Sequence, residues 1–379
     1  MKENKGPKLE LELKKLVSEI AIPRFIGSRG NELTKNKILK HCRSYASKVF
    51  VDEFLFHPKA EKISVTIIGL LLLIEYLALM LSHFYLQPIS LFFATALPLT
   101  ALVYFHFWIE LFDMIGKTGK TRCASILAEL GNPNSKNKYL ITAHRDSLST
   151  RPKGTTYFHG FVWLFYKMPV IMGIVYLLLN LVNVGILVVP AILGAAIALS
   201  IFVLVASFGN NSAGAYDNGS GVAILMLLLK TFSKKKLDAH VIFGFLDAEE
   251  AGYGGSISLA KKMRRNYKVV NIDGIGAGEM EILIADGPLR SKTSQILNGK
   301  IIKLAKKEGE DLSPYWSQVY PGGDHVPFVR KGFEATTITS SSYDIHSETD
   351  TVSRIKFAQC AFVYRLLHKL VTVGNKNVV

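Results

Sequence analysis

Cysteine is scarce. Cys42, Cys123 and Cys360 are scattered and odd in number. They form neither a disulfide framework nor zinc-finger spacing, and a reducing compartment is the simpler reading. The opening stretch MKENKGPKLELELKK lacks the apolar core and small-residue cleavage site of a secretory signal. Arginine-rich helices and basic-aromatic alternation are also missing, so the net charge of +15 is not the footprint of a nucleic-acid partner. No solenoid-type repeat is visible. Acidic residues number 30 against 45 basic ones, in a chain that is 49% hydrophobic. That pairing points to a membrane protein with basic flanks, with the lipid bilayer as an expected partner.

The apolar residues are concentrated. Ile63 to Leu86 and Ile89 to Phe112 are each almost wholly apolar, separated by Gln87-Pro88. Each is long enough to cross a bilayer core of about 30 Å as a helix. A second block runs from about Phe161 to Phe208, most polar around Asn180 to Gly185. The expectation is two transmembrane hairpins, residues 63–113 and 161–208, inserted into one domain made of 1–62, 114–160 and 209–379. Glu75 and Glu110 are costly in lipid and should face protein or lie near an interface. The far-side turns, His83 to Pro88 and Asn180 to Gly185, contain no Lys or Arg. The near-side flanks contain Lys59, Lys62, Lys117, Lys120, Arg122, Arg151 and Lys153. The positive-inside rule therefore puts the polar domain and both termini in the cytoplasm of a four-helix, multi-pass protein.

The polar segments alternate between strand and helix, which argues an α/β fold with a mixed, mostly parallel open sheet flanked by helices. Expected strands include Val49 to Phe56, Cys123 to Leu130, Tyr139 to Ala143, Val241 to Leu246, Val269 to Ile272 and Glu334 to Thr339, with Glu281 to Ala285 as an edge strand. Expected helices include Leu9 to Ile20, Glu32 to Ala46, Val222 to Phe232, Ser256 to Asn266, Ser294 to Lys307 and Val352 to Val371. YPGGDHVPF is read as a loop.

His144, Glu249, Glu250 and Asp273 follow closely on strand ends, His346 follows the Glu334 strand, and Asp217 sits in a glycine-rich loop opening a helix. In an open α/β sheet ligands bind at the carboxyl ends of the strands. Two His, two Asp and two Glu thus converge on one rim. Two adjacent carboxylates there raise each other's pKa, and a cation removes the conflict. Mixed imidazole and carboxylate donors suit zinc, with cobalt or manganese as substitutes. Five of the six can serve two metals if one carboxylate bridges them.

The motifs AHRDS, YDNGSG, AEEAGYGGS, NIDGIG and IHSETDT resemble, in order, those of the co-catalytic zinc aminopeptidases of the aminopeptidase Y and glutamate carboxypeptidase type, relatives of the glutaminyl cyclases. IPRFIGSRGNE and GGDHVPFVRKGFEA extend the similarity to nearly all the polar chain. The resemblance implies a membrane-anchored aminopeptidase with a peptide substrate and two Zn2+ per chain. It implies that His144 and Asp273 bind one zinc, that Glu250 and His346 bind the other, and that Asp217 bridges them. It gives Asp146 the orienting of His144, and Glu249 the role of general base. Arg145 stands where many relatives have an aromatic or small residue; it is expected to point away from the metals and to bear on the cleft rim. Two other readings stand beside this one: a glutaminyl-cyclase-like acyl transfer with a single zinc, and a non-catalytic membrane receptor or scaffold on a peptidase fold.

Overall fold

A computed structural model describes residues 5–372 apart from 86, 154–155, 157–159, 162, 182–187, 288–289, 318–322 and 342–344. In chain order the elements are α1 (Lys5–Ile20), α2 (Arg29–Tyr45), β1 (Lys48–Phe56), α3 (Ala60–Tyr85), α4 (Gln87–Gly116), β2 (Thr121–Gly131), β3 (Lys138–His144) and β4 (Ser149–Arg151). A π-helical turn at Trp163–Lys167 leads into α5 (Met168–Leu181), then α6 (Val188–Val205), β5 (Ser207–Gly209), α7 (Gly221–Phe232) and β6 (His240–Leu246). The chain ends through α8 (Gly254–Lys262), β7 (Lys268–Asp273), β8 (Met280–Asp286), β9 (Ser291–Lys292), α9 (Gln295–Lys307), β10 (Ser313–Ser317), α10 (His325–Arg330), β11 (Glu334–Ser340) and α11 (Phe357–Thr372).

The main sheet runs β1-β2-β6-β3-β7-β11-β8-β10, with β9 paired to β8. Its centre, β6-β3-β7-β11, is parallel. The flanks, β1-β2-β6 and β11-β8, are antiparallel. The sheet is therefore mixed, as expected, but parallel pairing is confined to the centre and the β10-β8 pair. The central strands are buried through their middles, and β6 (HVIFGFL) is buried end to end. Burial on both faces is why they read as apolar runs without alternation. Glu281 to Ala285, expected at an edge, lies inside the sheet because β10 covers it.

One face carries α1, α2, α7, α9 and α11 over a core that includes Leu225, Phe243 and Leu366. The other packs α8 and α10 on Leu140, Val269 and Ala335.

The apolar segments form a separate cluster. Leu72, Leu97, Met172 and Leu193 meet there, one from each of α3, α4, α5 and α6. Among the described residues, two helices are long and apolar enough to cross a membrane, over Ala60–Ser82 and Ile89–Gly116. The apolar parts of the later pair, Met168–Leu178 and Val189–Val205, are shorter. The expectation of two spanning hairpins is corrected accordingly: the first hairpin has spanning length, and among the described residues the second block does not. The physical reason is at its start, where the helical period is broken by the π-helical turn and only 14 residues remain for α5. The link at 182–187 lies outside the described residues. The first hairpin turns much of its apolar surface outward, with Leu70, Ile74, Phe92, Leu99 and Phe107 all exposed. A patch of that kind suits a lipid environment. Glu75 does face protein: its carboxylate accepts from the Thr100 hydroxyl across the hairpin at 2.7 Å. Glu110 pairs with Arg330 of α10 at 3.1 Å, where the hairpin meets the polar domain.

Candidate metal centre

Five of the six candidate side chains end or follow strands of the parallel centre. His144 is the last residue of β3, and Asp273 is the last of β7. Glu249 and Glu250 lie in the turn between β6 and α8, and His346 lies beyond β11. Asp217 lies in the tight turn before α7. Three non-glycine residues next to or within these turns take left-handed backbone angles: Ala248 (φ 61), Tyr253 (φ 62) and His346 (φ 54). Such conformations cost energy and persist only where the surroundings impose them.

The structure brings all six candidates together. His144 Nε2 lies 3.0 Å from Asp217 Oδ1 and 3.3 Å from Asp273 Oδ1. His346 Nε2 lies 3.2 Å from Asp217 Oδ2 and 2.8 Å from Glu250 Oε2. The two oxygens of Asp217 thus face two different imidazoles. Glu249 Oε2 stands further off, 4.0 Å from His144 Nε2. Three overlapping groups of His and carboxylate donors, each within 4.8 Å, result: His144-Asp217-Asp273, His144-Glu249-Glu250 and Asp217-Glu250-His346.

Asp146 does more than neighbour His144 Nδ1 at 3.6 Å. Its two oxygens accept the backbone N–H groups of Glu249 (3.3 Å) and Glu250 (3.1 Å). One carboxylate therefore fixes the acidic pair relative to the β3 end. Asp350 does the same for the Asp217 turn, accepting from the N–H of Tyr216 (2.6 Å) and of Asp217 (3.1 Å). Buried Arg24 ties the two loops together, donating to the carbonyls of Arg145 (2.7 Å) and Gly214 (2.7 Å). Sequence reasoning gave Arg24 and Asp350 no role. The available signal was their place inside IPRFIGSRGNE and IHSETDT.

Arg145 points away from the cluster, as expected, but it does not reach the cleft rim. It is buried beneath the β-strand ends, pairing with Asp247 at 2.5 Å and donating to the carbonyls of Ala124 and Asn31. Charge without water dominates the electrostatics. Burial pulls His144 down, yet Glu249 and Asp273 outweigh it and hold the imidazole well above its ordinary value. His346 is likewise held high against burial, by Glu250 and Asp217. Burial pushes Glu249 well above the usual carboxylate range, with Asp273 and Glu250 adding to it. Burial raises Glu250 to about 7 against the pull of His346. Asp324, buried nearby, is likewise pushed up to about 7 by burial. Asp217 alone is depressed: burial opposes this, but two imidazoles at its oxygens prevail. Crowded carboxylates kept from water and wrapped around neutralisable imidazoles are the donor set of a divalent cation.

The cluster opens into a cavity of about 480 Å³. Tyr216 and Tyr253 stand beside the cluster, Glu61 comes from the start of α3, and Glu281, Leu283 and Tyr315 come from the far end of the sheet.

A family model described as Peptidase family M28 matches residues 197–371. The match takes in Asp217, Glu249, Glu250, Asp273 and His346, while His144 and Asp146 lie ahead of it. The match to this family implies zinc. The chain is 28% identical over 120 residues to the vacuolar membrane protease of Candida glabrata and 30% identical over 119 residues to that of Saccharomyces cerevisiae (strain YJM789). Each match takes in 31% of this chain but only 12% and 11% of those proteins. The fold is similar to that of a Bacteroides thetaiotaomicron glutaminyl cyclase bound to N-acetylhistamine (TM-score 0.57, 14% identity, 98% of both chains). It is equally similar to a leucine aminopeptidase precursor from the same organism (TM-score 0.57, 15% identity, 98% of this chain and 97% of that one).

Proposed function

We propose that this protein is a membrane-anchored zinc peptidase that hydrolyses peptide bonds next to a free amino terminus. The observation that carries the reading is the double-faced Asp217, whose two oxygens address His144 and His346 separately. In the proposed assignment His144, Asp217 and Asp273 would hold one Zn2+, and Asp217, Glu250 and His346 would hold a second. The donors fit, since neutral imidazole and carboxylate oxygen are what zinc takes. When bound, such ions lower the pKa of a water to about 7 and polarise a carbonyl.

The remaining work falls to the chain. Glu249 lines the cavity beside the ligands without being counted among them, and it takes the proton of the attacking water. It then delivers that proton to the leaving amine. Asp146 holds the Glu249-Glu250 backbone, so that base and ligand keep their separation while protons move. Residues 1–62, 114–160 and 209–379 form the peptidase domain in this reading, and it lies on the cytoplasmic side of the bilayer.

Two substitutions test the roles. Glu249→Gln should leave zinc content near normal and lower turnover of aminoacyl-amide substrates by about 10² or more. Glu250→Gln should instead deplete zinc, because a neutral amide oxygen is a poorer ligand than a carboxylate. Elemental analysis alongside peptide hydrolysis separates the two. Equal loss of metal in both, or full activity in Glu249→Gln, would sink the assignment. Cyclisation of an N-terminal glutamine peptide with one zinc per chain would favour the cyclase chemistry instead.

A further inference from the structure

Two carboxylates in the cavity belong to neither the proposed ligand set nor the base, Glu61 and Glu281. Glu281 is placed by the sheet itself. Asp273 pairs in register with Thr339 of β11, and Thr339 pairs directly with Glu281 of β8. The three side chains form one row across three strands, so Glu281 sits two strand spacings, roughly 10 Å, from the ligand Asp273. The row alongside is Thr337, Leu283 and Tyr315, on the same cavity face. Alternate residues such as Ile282 and Ile338 point to the opposite core. The platform leading away from the zinc ligands is therefore apolar and hydroxyl-lined, and it carries an acid.

Glu281 is half-buried and has no ion-pair partner among the described residues. Burial, then the neighbouring Glu279, push its carboxyl up. A carboxylate left this way lacks the compensation that a cation in the cavity would give.

We propose that Glu281 is a specificity-determining residue that receives the cationic head of a lysine or arginine side chain on the residue whose bond is cut. Leu283 and Tyr315 cover the methylene stem, in the manner of long basic side chains laid on apolar surface. The gap from Asp273 to Glu281 suits a long side chain and is too wide for alanine. This assignment rests on the peptidase reading for the orientation of the substrate, but its binding test does not need turnover.

Lysine hydroxamate and norleucine hydroxamate are titrated into the zinc-loaded, full-length protein in detergent. They differ at the side-chain terminus, charged in one and apolar in the other. Lysine hydroxamate should bind at least about tenfold tighter, the scale of a charge-assisted hydrogen bond. In Glu281→Gln the ratio should fall towards one, and in Glu281→Lys glutamate hydroxamate should overtake lysine hydroxamate. A ratio near one in the unmodified protein, including failure of both to bind, overturns the proposal. So does a ratio lost in Glu61→Gln but kept in Glu281→Gln. A parallel panel of lysyl, norleucyl and alanyl amides keeps the two readings apart. Hydrolysis without lysine preference removes the role of Glu281 and leaves the peptidase. Lysine-selective binding without hydrolysis does the reverse.

Discussion

At the residue scale, the cluster couples metal, protons and stability. His144 and His346 hold protons more tightly in the folded chain than in the unfolded one. Without metal, their contribution is fully present below the ordinary imidazole value of about 6.5 and is lost as pH rises through the raised folded values. Glu250, at about 7, acts in the same direction, because ionising it above its unfolded value costs the native state. Depressed Asp217 contributes throughout this window. The melting temperature of chelator-stripped protein should therefore fall as pH rises from about 6.5 through the raised imidazole values. Zinc-loaded protein should resist that fall, since ligation needs the deprotonated donors. Stability that rises with pH in the stripped protein would contradict the burial argument. A second residue test concerns Arg145 and Asp247, both fully buried. Arg145→Met leaves Asp247 uncompensated and should cost about 3–5 kcal/mol. The double change Arg145→Met with Asp247→Leu should recover much of it, as read from denaturation midpoints.

At the element scale, the hairpin is docked through aromatic side chains. Trp108 and Phe112 of α4 lie 5.3 and 6.1 Å, centroid to centroid, from Tyr253, which borders the cavity. Lys62 of α3 donates to the carbonyls of Val203 and Leu204 at the end of α6, where helix carbonyls lack intrahelical partners. Trp108→Ala should cost about 3–5 kcal/mol, and the loss should appear as a lowered melting temperature of the whole domain. What the sequence made legible follows from signal length. β6 and β3 were readable because burial on both faces gives unbroken apolar runs. β10, SPYWS, was not, because it is a largely exposed edge carrying Pro314 and showing no alternation. Six-residue α10 is too short for a helical period to register. The start of α8 was set two residues late, since glycines argued loop. Gly254 and Gly255 are there because a Cβ would press on Ala248, Phe56 and Asp247. The candidate cluster was legible for a different reason. Five of its six members end or follow strands, so finding the strands located them, and Asp217 sits in a glycine-rich loop opening α7. Arg24 and Asp350 act through backbone groups of other loops, and no periodicity reports that.

At the scale of the whole molecule, the proposed topology has a direct check. All three native cysteines are buried. A cysteine placed at exposed Asn134 would report on the polar face with little background. In intact cells it should resist a membrane-impermeant thiol reagent and react only after permeabilisation. Labelling from outside would reverse the orientation argued from the loop charges. The order of the strands along the chain has another outcome. β1 and β2 are hydrogen-bonded neighbours, yet the whole of α3 and α4 separates them. β3 waits for β6 across the second apolar block. During synthesis, both apolar segments therefore leave the ribosome before the first parallel pair of the sheet can close. Pairings so distant in sequence are slow to form, and strands that wait for partners are prone to aggregate. With the proposed membrane anchoring, delivery of the nascent chain to the bilayer would precede completion of its main sheet, and a synthesis system without membranes would leave the early strands stranded beside two uninserted helices.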